Sequence, residues 1–129
     1  MKRIILLAFL CTTTLVMAQR INHVQEAIAN YDYEAALTLI AKEKPTIPLL
    51  LQKGKAQRGL GMNTEALSTY QEIITNDTAN TRAYIEAAEC CRSLAKYQQA
   101  LKYYEQALDL NPENKYVRIQ YIGLLLSLQ

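Results

Sequence analysis

The sequence is poor in the residues that most catalytic and ligand sites require. Its 129 residues contain no tryptophan, one phenylalanine and one histidine, His23. With a single histidine, neither a Ser-His-Asp nor a Cys-His arrangement can be assembled with any specificity. The sequence also has no glycine-rich phosphate loop and no cluster of metal ligands. These absences predict a chain that is not an enzyme and that needs no metal and no cofactor.

Cysteine and excess charge are also scarce. Of the three cysteines, Cys11 lies in the apolar N-terminal segment, whereas Cys90 and Cys91 are adjacent and cannot form a disulfide within a helix. We therefore expect Cys90 and Cys91 to be small core residues. Without Lys2 and Arg3, which precede an apolar run, the 14 basic residues fall to 12 and equal the 12 acidic ones. A chain without a basic excess is not expected to bind nucleic acid.

What remains is an ordinary globular composition. Half of the residues are hydrophobic and a fifth are charged, with only four glycines and three prolines. This balance predicts one folded domain and argues against a low-complexity chain. Nine tyrosines supply the aromatic side chains that tryptophan and phenylalanine do not.

The first 18 residues have the build of a secretory signal peptide. Lys2 and Arg3 give a basic start, an apolar run of about 13 residues follows, and small or medium residues precede a cleavage point between Ala18 and Gln19. The alternative is a membrane anchor, but the run is shorter than the ~20 residues that span a bilayer. A lipoprotein signal is excluded because the bulky Leu10 precedes Cys11. We expect export to a bacterial periplasm or envelope and no stable membrane span after cleavage.

Two helical patterns occupy residues 81–114. The first runs from Thr81 to about Leu94 and the second from about Tyr97 to Leu110, each with one apolar stripe at i, i+3, i+4, i+7 spacing. Pro112 disfavours helical geometry in Asn111 and ends the second helix. One such pair cannot bury both of its faces, so it needs neighbouring pairs.

These residues resemble a tetratricopeptide repeat, a helix–turn–helix unit of 34 residues. The positions that carry the resemblance are Tyr84, Ala87, Ala88, Cys91, Ala100, Tyr104, Ala107 and Pro112. Ala87 in place of leucine and Cys91 in place of tyrosine depart from the family pattern, although both stay small or apolar. The resemblance implies an all-α fold, a right-handed α-solenoid of antiparallel helix pairs.

The same 34-residue frame extends in both directions. Residues 47–80 form a looser unit, in which Asn63 or Thr64 is expected to cap the second helix. Residues 19–46 form a degenerate first unit, whose second helix Pro45 cuts short by about a turn. Residues 115–129 supply only a first helix. We therefore expect a signal peptide at 1–18 and a repeat domain at 19–129 with about three repeats plus one extra helix.

A partner-binding groove is expected on the first helices, because the family's concave face is built from them. The stripe beside the core is basic with apolar patches, and it comprises Leu51, Lys55, Arg58, Arg82, Ile85, Glu89 and Arg92. Such a groove would suit an acidic or carboxylate-ending segment with an apolar anchor; the alternative is an ordinary solvated helix face. Chaperone-binding family members grip a peptide carboxylate at places that here hold Ile21, Gln25, Gln52, Arg82 and Glu86. Only Arg82 fits, so that specialised role is not implied.

The last helix is apolar nearly all round, and its expected interface residues are Ile119, Ile122, Leu125 and Leu126. A helix of this kind is buried on more than one side. We expect either that the natural chain continues beyond Gln129 or that this helix docks on a partner, with continuation favoured.

The leading functional hypothesis is an exported, non-enzymatic scaffold that binds a protein or peptide partner by its concave face. The alternative is an N-terminal docking or spacer part of a larger envelope protein with an enzymatic, sensor or glycan-binding region downstream. Self-association through the C-terminal helix is a third hypothesis. The sequence does not name the partner or the pathway.

Overall fold

The computed structural model describes residues 1–129 and contains seven α-helices and no β-strand. The fold is therefore all-α, which confirms the sequence-based prediction. The helices are α1 (Lys2–Ala29), α2 (Tyr33–Ile40), α3 (Ile47–Gly59), α4 (Asn63–Asn76), α5 (Thr81–Ser93), α6 (Tyr97–Leu110) and α7 (Lys115–Ser127).

Side-chain caps start the first helix of three successive pairs at a fixed interval. Thr46, Asn80 and Asn114 are spaced by the 34-residue repeat, and each side chain accepts a hydrogen bond from the backbone N–H three residues later. Such caps satisfy donors that a helix start leaves without partners. The expected cap on α4 is wrong. Asn63 is already the first residue of that helix, and Met62 precedes it without a side-chain cap.

The turn between the two helices of each pair has a left-handed residue. These residues are Tyr31, Gly61 and Ala95, with φ of 60°, 75° and 56°. Each turn is closed by a hydrogen bond that reaches back five residues, as from Met62 N–H to the Gln57 carbonyl at 2.9 Å. This is the helix-ending geometry that glycine adopts without strain, and alanine and tyrosine adopt it at a cost.

The core is a continuous strip along the stack. Its main cluster has 17 buried residues contributed by α3 to α7, with Tyr70 and Tyr104 among its largest fully buried side chains. Gly54 is required beside Tyr70, because a Cβ on Gly54 would lie 2.5 Å from Tyr70 Cζ. Helices contact mainly their neighbours along the chain, as expected for a stack of repeated units.

The first pair is smaller than the others. Helix α2 has 8 residues, whereas α4 and α6 have 14 each. Only two clusters of three buried residues hold α1, α2 and α3 together. The shortening predicted from Pro45 is present, and it removes more than one turn.

Helix α1 runs without a break across the expected cleavage point between Ala18 and Gln19. Its most apolar 18-residue window has a mean hydropathy of 1.9 and no buried residue, so the helix is long and apolar enough to cross a membrane. A signal sequence near an N-terminus meets the same criterion. Helix length and composition therefore do not distinguish a signal peptide from a membrane anchor in this segment.

Candidate protein-binding groove

The first helices of the pairs, α3, α5 and α7, carry the groove residues expected from the sequence. Lys55 on α3 and Arg82 on α5 are exposed. Leu51 and Ile85 are half-buried against the main core, so their apolar side chains border the groove rather than fill it. Arg58, Glu89 and Arg92 are also half-buried, and each is engaged by neighbouring side chains.

Arg58 joins α3 to α5. Its guanidinium donates a hydrogen bond to the Glu86 carboxylate, and the two groups form an ion pair. Burial alone would lower the pKa of Arg58, but the charge and hydrogen bond of Glu86 raise it above its ordinary value. Arg58 is therefore held as a permanent cation whose charge is matched within the protein.

Glu89 is the centre of a second network. Its Oε1 accepts hydrogen bonds from Tyr104 Oη at 2.6 Å and from Tyr116 Oη at 3.1 Å, while Oε2 lies 3.5 Å from Arg92 Nη1. Burial and the hydrogen bond to Glu89 raise the pKa of Tyr104. This carboxylate therefore ties α6 and α7 to α5.

The two arginine contacts repeat along the stack. Arg92 Nη1 donates to Gln120 Oε1 at 2.7 Å, and Arg92 and Gln120 stand 28 residues apart, as do Arg58 and Glu86. Arg58 on α3 thus contacts α5 at the position that is equivalent, in the 34-residue repeat, to the position where Arg92 on α5 contacts α7. Glu86, Gln120 and Tyr104 were not among the expected groove residues, because only the stacking of the helices brings them to Arg58, Arg92 and Glu89.

These contacts correct the prediction of a basic groove centre. Arg58 and Arg92 face Glu86 and Glu89, so both arginines are structural, and Glu86 is not free to repel a partner carboxylate. Of the expected groove cations, only Lys55 and Arg82 form no ion pair. The groove therefore keeps two unpaired cations, Lys55 and Arg82, beside two arginines whose charges are matched within the protein.

The C-terminal helix presents an apolar surface beside the groove. We call it the apolar end face, and it comprises Ile119, Ile122, Leu125 and Leu126, which are 67%, 48%, 37% and 64% exposed. Only Val117 and Leu124 of α7 are buried. Within residues 1–129, the apolar side of α7 that was expected to need a partner or further chain is uncovered. Large exposed apolar surfaces mark interaction sites.

No set of three or more His, Cys, Asp or Glu side chains lies close enough to hold a metal ion. His23 lies near the surface, 3.9 Å from Glu26. Cys90 and Cys91 are buried and unpaired, and burial raises the pKa of Cys90 to about 12. A thiol held protonated in this way is inert as a nucleophile.

Comparison with known families agrees with the repeat geometry. The family model for the tetratricopeptide repeat matches residues 81–114. The chain is 30% identical to human Tetratricopeptide repeat protein 6 over 89 residues, which is 69% of this chain and 16% of that protein. The chain thus spans about a sixth of the length of this relative.

Solved structures share the fold. The first TPR domain of Spaghetti (RPAP3), bound to the HSP90 peptide SRMEEVD, has a TM-score of 0.80 at 20% identity and covers 86% of this chain and 91% of its own. The Yersinia enterocolitica type III secretion chaperone SycD, in complex with a peptide of the translocator YopD, has a TM-score of 0.81 at 16% identity, with 88% and 95% covered. At these identities the likeness shows the fold alone. The chain therefore has the fold of tetratricopeptide repeat domains, and residues 81–114 match the repeat itself.

Proposed function

We propose that this protein is a non-enzymatic scaffold that binds a protein or peptide partner in the envelope of a bacterial cell. The observation that carries the proposal is the apolar end face, where one helix exposes four large apolar side chains next to the groove. The two structural relatives that hold peptides support a binding role for this architecture.

The groove network supports a binding role over a catalytic one. Arg58, Glu89 and Arg92 are the polar groups that a catalytic site would use, and all three are engaged in joining helices. The groups that remain available are Lys55, Arg82 and the apolar end face. They offer charge and apolar area for recognition and no acid–base pair for chemistry.

The contact surface can be tested with a photo-crosslinking amino acid at Ile119 in cells that make the full chain. A discrete adduct with another envelope protein is expected. Lys102, an exposed position on the second helix α6, is the matched control and should give no adduct. An adduct of twice the chain's own mass would indicate self-association through α7. No adduct at Ile119, or the same adducts at both positions, would refute the proposal.

Export is proposed because the first 18 residues contribute nothing to the core. The first buried residue of α1 is Val24, and every residue from Met1 to Gln19 is exposed. Removal of this segment would leave the helix stack intact. Mass spectrometry of protein recovered from the envelope should find an N-terminus at Gln19; retention of Met1 would show that the segment is an anchor or another kind of leader.

A further inference from the structure

A cavity lies away from the groove, in the first helix pair. It is a cleft of about 380 Å³ between α2 and α3, lined by the connecting loop and by both helices. Its walls are mainly the apolar side chains Leu37, Ile40, Leu49 and Leu50. The volume is enough for one large apolar side chain and part of the backbone that bears it.

The cleft exists because the first pair departs from the repeat at two positions. The fully buried Ala36, Ala66 and Ala100 mark equivalent places on α2, α4 and α6. Four residues after these alanines, α4 and α6 have the buried rings of Tyr70 and Tyr104, whereas α2 has the smaller side chain of Ile40. Seven residues later, α4 and α6 bury Ile73 and Ala107, whereas α2 has ended and Glu43 lies in the loop.

A polar group that is not fully satisfied lines the cleft. Gln57 is only 6% exposed, and its amide makes one hydrogen bond, with the hydroxyl of Thr69 at 2.7 Å. The same hydroxyl lies 3.1 Å from the Glu65 carbonyl, and a hydroxyl has one proton to donate. In either orientation of the amide, one of its polar atoms has no partner in the protein. That atom keeps access to open space, and Gln57 lines the cleft.

The cleft also carries positive charge at its rim. Lys44 and Lys53 line it, and neither forms an ion pair. Glu43, the one carboxylate on the lining, is neutralised by Arg20 at 2.9 Å. The cleft thus combines unpaired cations with apolar walls.

We propose that the cleft binds an acidic peptide segment by inserting one of its large apolar side chains. The anchor side chain packs between α2 and α3, carboxylates beside it in the peptide pair with Lys44 and Lys53, and the Gln57 amide hydrogen-bonds the peptide backbone. Hydrogen bonds from a backbone to a buried amide favour a peptide over a purely hydrocarbon ligand. This inference deepens the proposed scaffold function by naming the partner's chemistry.

The test is fluorescence anisotropy of the full chain with a labelled eleven-residue peptide that has a central phenylalanine between pairs of glutamates. Saturable binding is expected, with a loss of at least tenfold when the phenylalanine is replaced by serine. Ile40→Tyr installs the residue that fills the equivalent place in the other pairs. It should lower affinity at least tenfold while circular dichroism shows an unchanged helix content.

Charge reversal provides an independent readout. Lys53→Glu should weaken the glutamate peptide at least fivefold and should favour a peptide whose glutamates are replaced by lysines. Lys102→Glu makes the same change at an exposed position on α6, outside the cleft and the groove, and should leave both affinities unchanged.

Three results would overturn the cleft assignment: no saturable binding, equal effects of Lys53→Glu and Lys102→Glu, or wild-type affinity in Ile40→Tyr. None of these results bears on crosslinking at Ile119, so the scaffold proposal stands or falls separately.

Discussion

The first and third helix pairs are built from the same pattern but are stabilised to very different degrees. In the third pair, α5 and α6 lie within a cluster of 17 buried residues, and Tyr104 and Glu89 connect three helices. In the first pair, α2 has lost its last turns and only three-residue clusters remain. A repeat is stabilised by what its neighbours bury against it, so a complete unit between two neighbours is rigid and a shortened terminal unit is open. The open unit is where the proposed peptide site lies.

The largest expected contrast between the pairs comes from truncating equivalent side chains. Tyr104→Ala should lower the free energy of unfolding by about 3–5 kcal/mol, because it removes a fully buried ring from the main cluster. Ile40→Ala should cost about 2 kcal/mol or less, since Ile40 already borders the cleft. Urea unfolding followed by circular dichroism measures both. Equal losses would show that the first pair is as tightly packed as the third.

Removing a carboxylate should likewise cost more stability in the third helix pair than in the first. Glu89→Gln weakens the hydrogen bonds from Tyr104 and Tyr116 and should cost about 1–3 kcal/mol. Glu43→Gln breaks an ion pair in which the Arg20 side chain is 54% exposed and the Glu43 side chain 11% exposed, and it should cost less than about 1 kcal/mol. Urea midpoints of the two variants give the comparison, and a cost for Glu43→Gln as large as that for Glu89→Gln would contradict it.

Alkaline pH should lower the free energy of unfolding through Cys90, which lies in the third helix pair. Its pKa is raised to about 12 by burial, above the value of about 8.5 for a free thiol. The folded protein therefore keeps a proton that the unfolded chain releases. The stability associated with this proton is fully present below pH ~8.5 and is lost as pH rises toward the folded pKa.

The measurement is the difference in unfolding free energy between the wild type and Cys90→Ala at several pH values. That difference should fall by roughly 1–2 kcal/mol between pH 8 and pH 10. The tyrosines of the unfolded chain begin to titrate at the top of this window, but the wild type and Cys90→Ala share them, so their contribution cancels in the difference. A difference that stays constant across it would mean that water reaches Cys90.

The smallest expected effects concern the turns. Ala95 holds a φ of 56° in the third pair, and Gly61 holds 75° in the second. Ala95→Gly should raise the free energy of unfolding by less than about 1 kcal/mol and the melting temperature slightly. The gain is small because glycine relieves the left-handed strain but adds entropy to the unfolded chain. Gly61→Ala should lower stability by about 1 kcal/mol, and no Cβ clash contributes, since nothing lies within 4 Å. Calorimetry on both variants would test whether they have opposite signs.

Much of the fold could be predicted because it depends on local pattern. The helices expected from Thr81 to Leu94 and from Tyr97 to Leu110 match α5 and α6 to within one residue. The small and aromatic residues expected in the core, such as Ala88 and Tyr104, are buried. Apolar spacing and the proline after α6 carry this information without reference to distant residues.

The charge state of the groove could not be predicted in the same way. Arg58 and Glu86 come from different repeats, and only the stacking of α3 on α5 brings them together. The apolar periodicity predicted the positions of Arg58 and Arg92 on their helices, but it did not predict which side chains contact them. The cleft was missed for a similar reason, since it depends on where α2 ends and on the ring that Ile40 lacks.

The two arginine contacts between neighbouring first helices should also respond differently to ionic strength. Arg58 reaches a carboxylate on α5, whereas Arg92 reaches the neutral amide of Gln120 on α7. Arg58 and Glu86 are both partly buried, so added salt screens their contact only weakly, and it acts even less on the neutral contact of Arg92 with Gln120. Rising ionic strength should therefore weaken the attachment of α3 to α5 slightly more than that of α5 to α7. The core that α3 to α7 share keeps the stack together in both cases.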